Sequence, residues 1–352
     1  MTSIKVVLII HSTEVLHMVL KSLSKQEVEV VTVASNGVEG FNKVMTYSPD
    51  VVLLDLDIPA MDGKYVVENI LAKQFCPIIV LGNDTSNGRI AIEQALDAGA
   101  MNYVKKPIET NRHTFEMFQT ELIKHVLSCN ESMLKERNTD VAKSNYTPNM
   151  KENNKRSQSL IVIGTSTGGP RALQNILTNL PDDFHTPILI VQHMPQGFTR
   201  SLAKRLNHLS SIHVKEAEDG EEIKEQTAYI APGGQHMVIQ SIGTKQIVQL
   251  TDEPLDCVHR PSVDVLFTSV AHIEKVNKIA VILTGMGKDG SEGIVQLKKH
   301  DAQSIIISQS KESSTVYGMP KAAIETNLVD YTVPLNQISR MLVQLVKKIG
   351  GN

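Results

Sequence analysis

The sequence predicts an α/β protein of two doubly wound domains with mainly parallel sheets. Three observations predict it. Short continuous apolar runs alternate with amphipathic stretches twice along the chain, a polar segment separates the two series, and 352 residues exceed what one hydrophobic core usually serves. Runs that are apolar throughout, rather than at every second residue, mark strands buried on both faces, and such strands belong to parallel sheets with crossover helices.

Between Ile4 and Leu127 the runs K-V-V-L-I-I, V-E-V-V-T-V, D-V-V-L-L-D, P-I-I-V-L and N-Y-V predict a five-stranded domain over residues 1–127. Residues 128–158 are polar, rich in Asn and Lys and without sustained periodicity, and read as a linker whose first turns could continue the helix containing Phe115, Phe118 and Leu122. A larger Rossmann-like domain over 159–352 follows from S-L-I-V-I-G, T-P-I-L-I-V-Q-H, A-Y-I-A-P, K-I-A-V-I-L-T-G and S-I-I-I-S. The segments H-M-V-I-Q and K-Q-I-V-Q-L alternate with period two around Gly243, which predicts an antiparallel hairpin appended to the second sheet.

Composition narrows the function. A net charge of −3 gives no electrostatic case for nucleic acid, whose phosphates call for clustered Lys and Arg. Three scattered cysteines, Cys76, Cys129 and Cys257, match neither a disulfide framework nor a zinc site. With no secretory start and no apolar stretch of membrane-spanning length, a cytoplasmic protein without direct membrane insertion is expected.

The chemistry is carried by three strand ends. In I-V-I-G-T-S-T-G-G-P-R-A-L a buried strand passes through a glycine-flanked serine, Ser166, into a helix opened by Pro170. Backbone N–H groups at such a helix start can stabilise developing negative charge. The same residues could equally make a phosphate-binding or purely structural Gly-rich turn, and a serine is a poor nucleophile without a base. His193 directly follows the strand P-I-L-I-V-Q, where it is either that base or an ordinary loop histidine. Asp289 lies in the glycine-rich turn after K-I-A-V-I-L, where it either orients the histidine or caps the next helix. Taken together they form a Ser, His, Asp set, in a chain order that differs from that of α/β-hydrolases.

The second half resembles the chemotaxis protein-glutamate methylesterases through I-G-T-S-T-G-G-P, Q-H-M-P-Q-G-F-T-R-S-L-A-K-R-L, Y-I-A-P-G-G-Q-H-M, R-P-S-V-D-V-L-F and L-T-G-M-G-K-D-G, which span most of residues 159–330. The resemblance implies a serine esterase of chemotaxis adaptation. It would remove methyl groups from glutamyl methyl esters on the cytoplasmic helices of methyl-accepting chemoreceptors, and many members also deamidate receptor glutamines. No cofactor is implied for the esterase. By position, Ser166 attacks the ester, His193 moves the proton, Asp289 orients His193, the Met286 N–H helps bind the oxyanion and Thr167 lines the site. The glycines around Ser166 and Asp289 would let a bulky receptor helix approach.

The first half resembles response-regulator receivers, which implies regulation of the esterase and a chemotaxis histidine kinase as a partner. S-P-D-V-V-L-L-D-L-D-I-P-A-M-D-G makes Asp55 the counterpart of the phosphoacceptor, and G-A-M-N-Y-V-K-K-P makes Lys106 and Tyr103 the switch lysine and aromatic. The site departs from the family's pattern. His11 and Ser12 stand where an acidic pair holds Mg²⁺, and Gly82 stands where a Ser or Thr senses phosphate. A hard cation prefers carboxylate oxygens, so Mg²⁺ binding and phosphorylation of Asp55 are expected to be poor unless Asp57 or Asp84 supplies replacement ligands. A noncatalytic signalling adaptor with a vestigial triad is the competing reading; a DNA-binding regulator is disfavoured by the absence of a basic recognition helix.

Overall fold

The structure is a computed structural model describing residues 3–24, 26–73, 76–107, 111–133 and 158–350. It divides into two compact units, Met1–Arg137 and Asn138–Asn352.

The first unit runs β1 (Ile4–Ile9), α1 (Thr13–Leu23), β2 (Val28–Ala34), α2 (Gly37–Tyr47), β3 (Val51–Asp55), α3 (Gly63–Lys73), β4 (Ile78–Gly82), α4 (Ser86–Asp97), β5 (Asn102–Lys105) and α5 (Arg112–Met133). All five strands are parallel in the order β2-β1-β3-β4-β5. Every residue of β3 and β4 is buried, as their unbroken apolar runs require. Ser12, Asn36 and Thr85 start their helices by accepting a backbone N–H with the side chain. Because β1 and β3 are neighbours in the sheet, the loops after them converge at one edge, the edge at which open α/β sheets place ligands. Helix α5 continues to Met133, so the start of the 128–158 linker range is helical; residues 134–157 lie outside the described ones.

The second unit runs β6 (Gln158–Thr165), α6 (Gly169–Thr178), β7 (Ile188–Gln192), α7 (Phe198–Leu209), β8 (His213–Glu216), β9 (Thr227–Ile230), β10 (His236–Ile242), β11 (Lys245–Thr251), α8 (Val263–Ala271), β12 (Val276–Ile282), α9 (Ser291–His300), β13 (Ile305–Gln309), α10 (Met319–Glu325), β14 (Tyr331–Val333) and α11 (Leu335–Gly350). Seven of its strands form one parallel sheet in the order β14-β13-β12-β6-β7-β9-β8. Alternate residues of the central strand serve two cores. Ile161 and Ile163 pack with residues of α6, α7 and α11, while Leu160 and Val162 pack with residues of α8, α9 and α10.

One expectation is corrected here. The hairpin β10–β11 is a separate two-stranded antiparallel sheet, not an extension of the main one, and its Met237, Ile239 and Val248 join the α8 and α9 core. The edge strands β8 and β14 were not anticipated, because H-V-K-E and Y-T-V are too short and too polar to stand out as buried runs.

Candidate active site

The chain leaves β6 in one direction along the sheet, through β7, and returns to its other side at β12, so β6 and β12 flank the switch point of the topology. Ser166 follows β6, His193 follows β7 and Asp289 lies seven residues beyond β12. The two strands beside β6 therefore carry the histidine and the aspartate. Backbone bonds between the strand ends hold the three loops together: the Ser166 N–H donates to the Thr284 carbonyl (3.1 Å) and the His193 N–H to the Thr165 carbonyl (3.1 Å). The Gln192 side-chain amide donates to the carbonyls of both Ser166 (3.0 Å) and His193 (3.1 Å).

The His193 Nε2 lies 2.7 Å from Asp289 Oδ2. An ionised carboxylate only accepts hydrogen bonds, so this contact puts the ring proton on Nε2. Nδ1, the second ring nitrogen, is buried and has no hydrogen-bond partner among the described residues. His259 stacks on the His193 ring with centroids 4.2 Å apart and planes 24° apart, which limits the tilt of the imidazole.

Asp289 does more than meet the histidine. Its carboxylate accepts from the Ser262 hydroxyl (2.9 Å), the Val263 N–H (2.8 Å) and the Asp264 N–H (2.9 Å), all at the start of α8. Burial acts to raise its carboxyl, but the His193 bond and charge with these N–H groups outweigh it and hold the carboxyl far below the usual carboxylate range. The helix-capping role expected as the alternative for Asp289 is thus present, though on α8 and not on the helix that follows it.

Thr284 fixes the turn that contains Met286. Its hydroxyl donates to the Thr167 carbonyl (2.9 Å) and accepts from the Val316 N–H (2.8 Å), and its own N–H donates to Gln309 Oε1 (2.8 Å). A Cβ on Gly285 would stand 2.9 Å from Ser166 Cβ, so the residue before Met286 packs directly on the serine. Thr167 is buried and Met286 half-buried. Gly168 takes φ +79° as the N-cap of α6, and a Cβ on Gly169 would collide with the Gln192 side chain. These glycines face their own protein, contrary to the expectation that they clear space for a receptor helix. Only around Gly287, with φ +89° and nothing within 4 Å, is the space open.

At the receiver edge, Asp55 is fully buried at the end of β3. The Lys106 ammonium lies 2.7 Å from Asp55 Oδ1 and 2.6 Å from Asp57 Oδ2, and Asn83 donates to the same Asp57 oxygen. Asp84 pairs with Lys105 (3.1 Å) and Arg89 (3.0 Å). Ser12 accepts the Val15 N–H as the cap of α1, and His11 is exposed. Tyr103 is buried. A Cβ on Gly82 would run into Ile92, with Cδ1 at 2.6 Å, so Ile92 fills the space where a Ser or Thr side chain would sit. Both candidate replacement carboxylates pair with lysines, Asp57 with Lys106 and Asp84 with Lys105.

Reading strand ends in the sequence singled out Ser166, His193 and Asp289, which the structure places after three neighbouring strands. It missed Ser262, Asp264, His236 and His259. Of these, His236 was legible only as part of Q-H-M; its buried Nδ1 accepts the Ser262 N–H at 3.1 Å and so steadies the start of α8.

An open parallel sheet with a histidine–carboxylate pair beside a serine at its switch point defines an α/β protein with hydrolase-type geometry. The family model described as CheB methylesterase matches residues 161–342, and that of the response regulator receiver domain matches residues 7–115. The chain is 42% identical to the protein-glutamate methylesterase/protein-glutamine glutaminase of Oceanobacillus iheyensis, over 90% of this chain and 91% of that one. It is equally 42% identical to the protein of the same name from Halalkalibacterium halodurans, over 97% and 98%. The crystal structure of the Thermotoga maritima CheB methylesterase catalytic domain is 46% identical, covering 54% of this chain and all of that one with a TM-score of 0.52. This chain belongs to the CheB methylesterase family, in the form that carries a receiver domain.

Proposed function

We propose that the chain hydrolyses glutamyl methyl esters on chemoreceptors, with Ser166 as nucleophile, His193 as base and Asp289 as the group that orients it. The observation that carries this reading is the 2.7 Å bond between His193 and Asp289 on the strands either side of the one that ends at Ser166. Ser166 Oγ bonds to the ester carbonyl carbon as its proton passes to His193 Nδ1. The Met286 N–H and the start of α6 receive the oxyanion, and Thr167 lines the pocket. Collapse breaks the C–O bond to the methoxy group, which takes the proton and leaves as methanol. Water then attacks the acyl-enzyme, His193 again carries the proton, and a glutamate carboxylate and free Ser166 result. A receptor glutamine would follow the same path with ammonia as the leaving group.

No cofactor is required for these steps. Among the described residues no helix is long and apolar enough to cross a membrane, which is compatible with action in the cytoplasm on the cytoplasmic helices of receptors. The adaptor reading has no observation in its favour, because a buried histidine–aspartate pair kept beside a serine is costly unless it is used. Release of methanol from a methylated receptor by the full chain, abolished by Ser166→Ala, tests the reading; parental release by the alanine form would exclude Ser166 as nucleophile.

The first unit is read as a receiver that regulates the esterase without Mg²⁺-dependent phosphorylation of Asp55. Lys106 occupies both Asp55 and Asp57, Ser12 is spent as a helix cap, and Ile92 takes the place of the sensing hydroxyl. A chemotaxis histidine kinase would then meet this unit as a docking partner and not as a phosphoryl donor. Incubation with acetyl phosphate and Mg²⁺ is expected to leave the chain unlabelled. Robust labelling that Asp55→Asn removes would contradict this.

A further inference from the structure

Helices α8 and α9 begin side by side, and each is capped by a carboxylate that belongs to the other's segment. Asp289, just before α9, accepts the N–H groups of Val263 and Asp264 at the start of α8. Asp264, in the first turn of α8, accepts with Oδ1 the N–H groups of Gly290 (2.8 Å) and Gly293 (2.7 Å) at the start of α9. Helix α9 has no cap of its own, since its N-cap is Gly290 at φ +100°. Four backbone donors that a helix start leaves unpaired are thereby satisfied crosswise.

The crossing is close because glycine permits it. A Cβ on Gly293 would lie 2.5 Å from Phe267 Cβ and 3.2 Å from Asp264 Cα, and one on Gly290 would press on Val263. Asp289 is the residue immediately before Gly290, so whatever fixes the Gly290 N–H fixes the backbone from which the Asp289 side chain springs. The arrangement has a cost: burial and the neighbouring Asp289 charge raise the Asp264 carboxyl well above the usual range, against the pull of the two glycine N–H groups. A helix cap alone could be supplied by Ser, Thr or Asn at the N-cap without placing a second buried carboxylate beside the first.

We propose that Asp264 is a positioning residue of the esterase, holding the turn that carries Asp289 and, through it, the His193 ring. This rests on the reading of Ser166, His193 and Asp289 as the reacting set. Asp264 touches neither serine nor substrate; it acts through Asp289. Displacing a catalytic group by about 1 Å costs on the order of 100-fold in rate, and that is the scale expected when the two Asp264 bonds are lost.

The test uses the full chain and a methylated receptor, with kcat, KM and the downfield ring N–H proton resonance of His193 as readouts. Asp264→Ala is expected to lower kcat about 100-fold, to leave KM within about twofold, and to lose the resonance. Asp264→Asn keeps an oxygen that accepts both N–H groups, and is expected to retain the resonance and most of kcat. Should the alanine form fail to fold, Asp264→Ser decides: its hydroxyl is too short to reach both glycines, so low kcat and a weakened resonance are expected. Parental kcat with an intact resonance in the folded alanine or serine form overturns the proposal. Activity in Ser166→Ala, run alongside, removes the serine reading itself and is distinct from a failure confined to Asp264.

Discussion

His193 meets Asp289 through Nε2, and this contact sets the tautomer of the ring. In the familiar serine-protease arrangement the acid holds Nδ1–H and Nε2 faces the serine; here Nε2 meets Asp289, and in the proposed mechanism Nδ1 is the nitrogen that takes the proton from Ser166. Asparagine at position 289 with its oxygen on the Ser262 hydroxyl and the Asp264 N–H would turn its amide N–H₂ to His193 and the Val263 N–H, forcing the wrong tautomer. Asp289→Asn is therefore expected to lower kcat by about 10⁴ while the fold persists. Asp289→Ala removes the acceptor for two N–H groups and the Ser262 hydroxyl, and should in addition cost about 2 kcal/mol of stability. Steady-state kinetics and thermal melting of the two variants check this, and an asparagine form with parental kcat would show that the tautomer is not held by Asp289. At this scale the sequence is informative where a residue ends a strand and silent where it acts across space. Asp289 was legible because it follows K-I-A-V-I-L. Asp264 and His259 were not, because nothing in R-P-S-V-D-V says that this segment crosses the start of α9 or that the preceding histidine lies on His193.

The long apolar strands β1, β3, β4, β6, β7 and β12 could be read directly, since burial on both faces leaves few polar residues inside them, such as Lys5 in β1 and Asn277 and Lys278 in β12. Short edge strands carry no such signal: β8 and β14 exist because a neighbour's backbone pairs with them, which is tertiary information. The hairpin was legible by its alternation, but its separation from the main sheet depends on packing against α8. A different kind of hidden information sits between β5 and α5, where the Asn102 side-chain amide contacts the ring of His125. Burial first, and then the Lys124 charge, push the His125 imidazole down to about 4. The unfolded chain binds a proton there near pH 6.5, so the folded unit holds fewer protons between these values. Stability is fully present above about pH 6.5 and falls as the pH drops towards 4, by about 3 kcal/mol from this residue. Amide exchange of β5 and α5, corrected for intrinsic rates, should show protection declining from pH 7 to pH 4.5; a flat profile in the parent, or the same decline in His125→Gln, would contradict the assignment.

Two units of similar architecture divide the work along this chain. The esterase unit keeps a complete set of strand-end groups, with caps and backbone bonds that hold each in place. In the receiver unit the parallel fold is preserved, Lys106 lies between Asp55 and Asp57, and Ile92 packs over Gly82; as proposed, this unit regulates without Mg²⁺-dependent phosphorylation. Comparison of His11, Ser12 and Gly82 with the receiver pattern raised the expectation of a weakened site. It could not show that Lys106 lies between Asp55 and Asp57 or that Ile92 packs over Gly82, since both depend on side chains that meet only in the folded unit.

The measurement that bears most directly on the whole account is methanol release from a methylated chemoreceptor by the full chain, by residues 158–352 alone, and by the Ser166→Ala form of each. The account predicts release by both parents, unchanged by acetyl phosphate and Mg²⁺, and absent from both alanine forms. Release that survives Ser166→Ala, or no release by either parent from any methylated receptor, would contradict it.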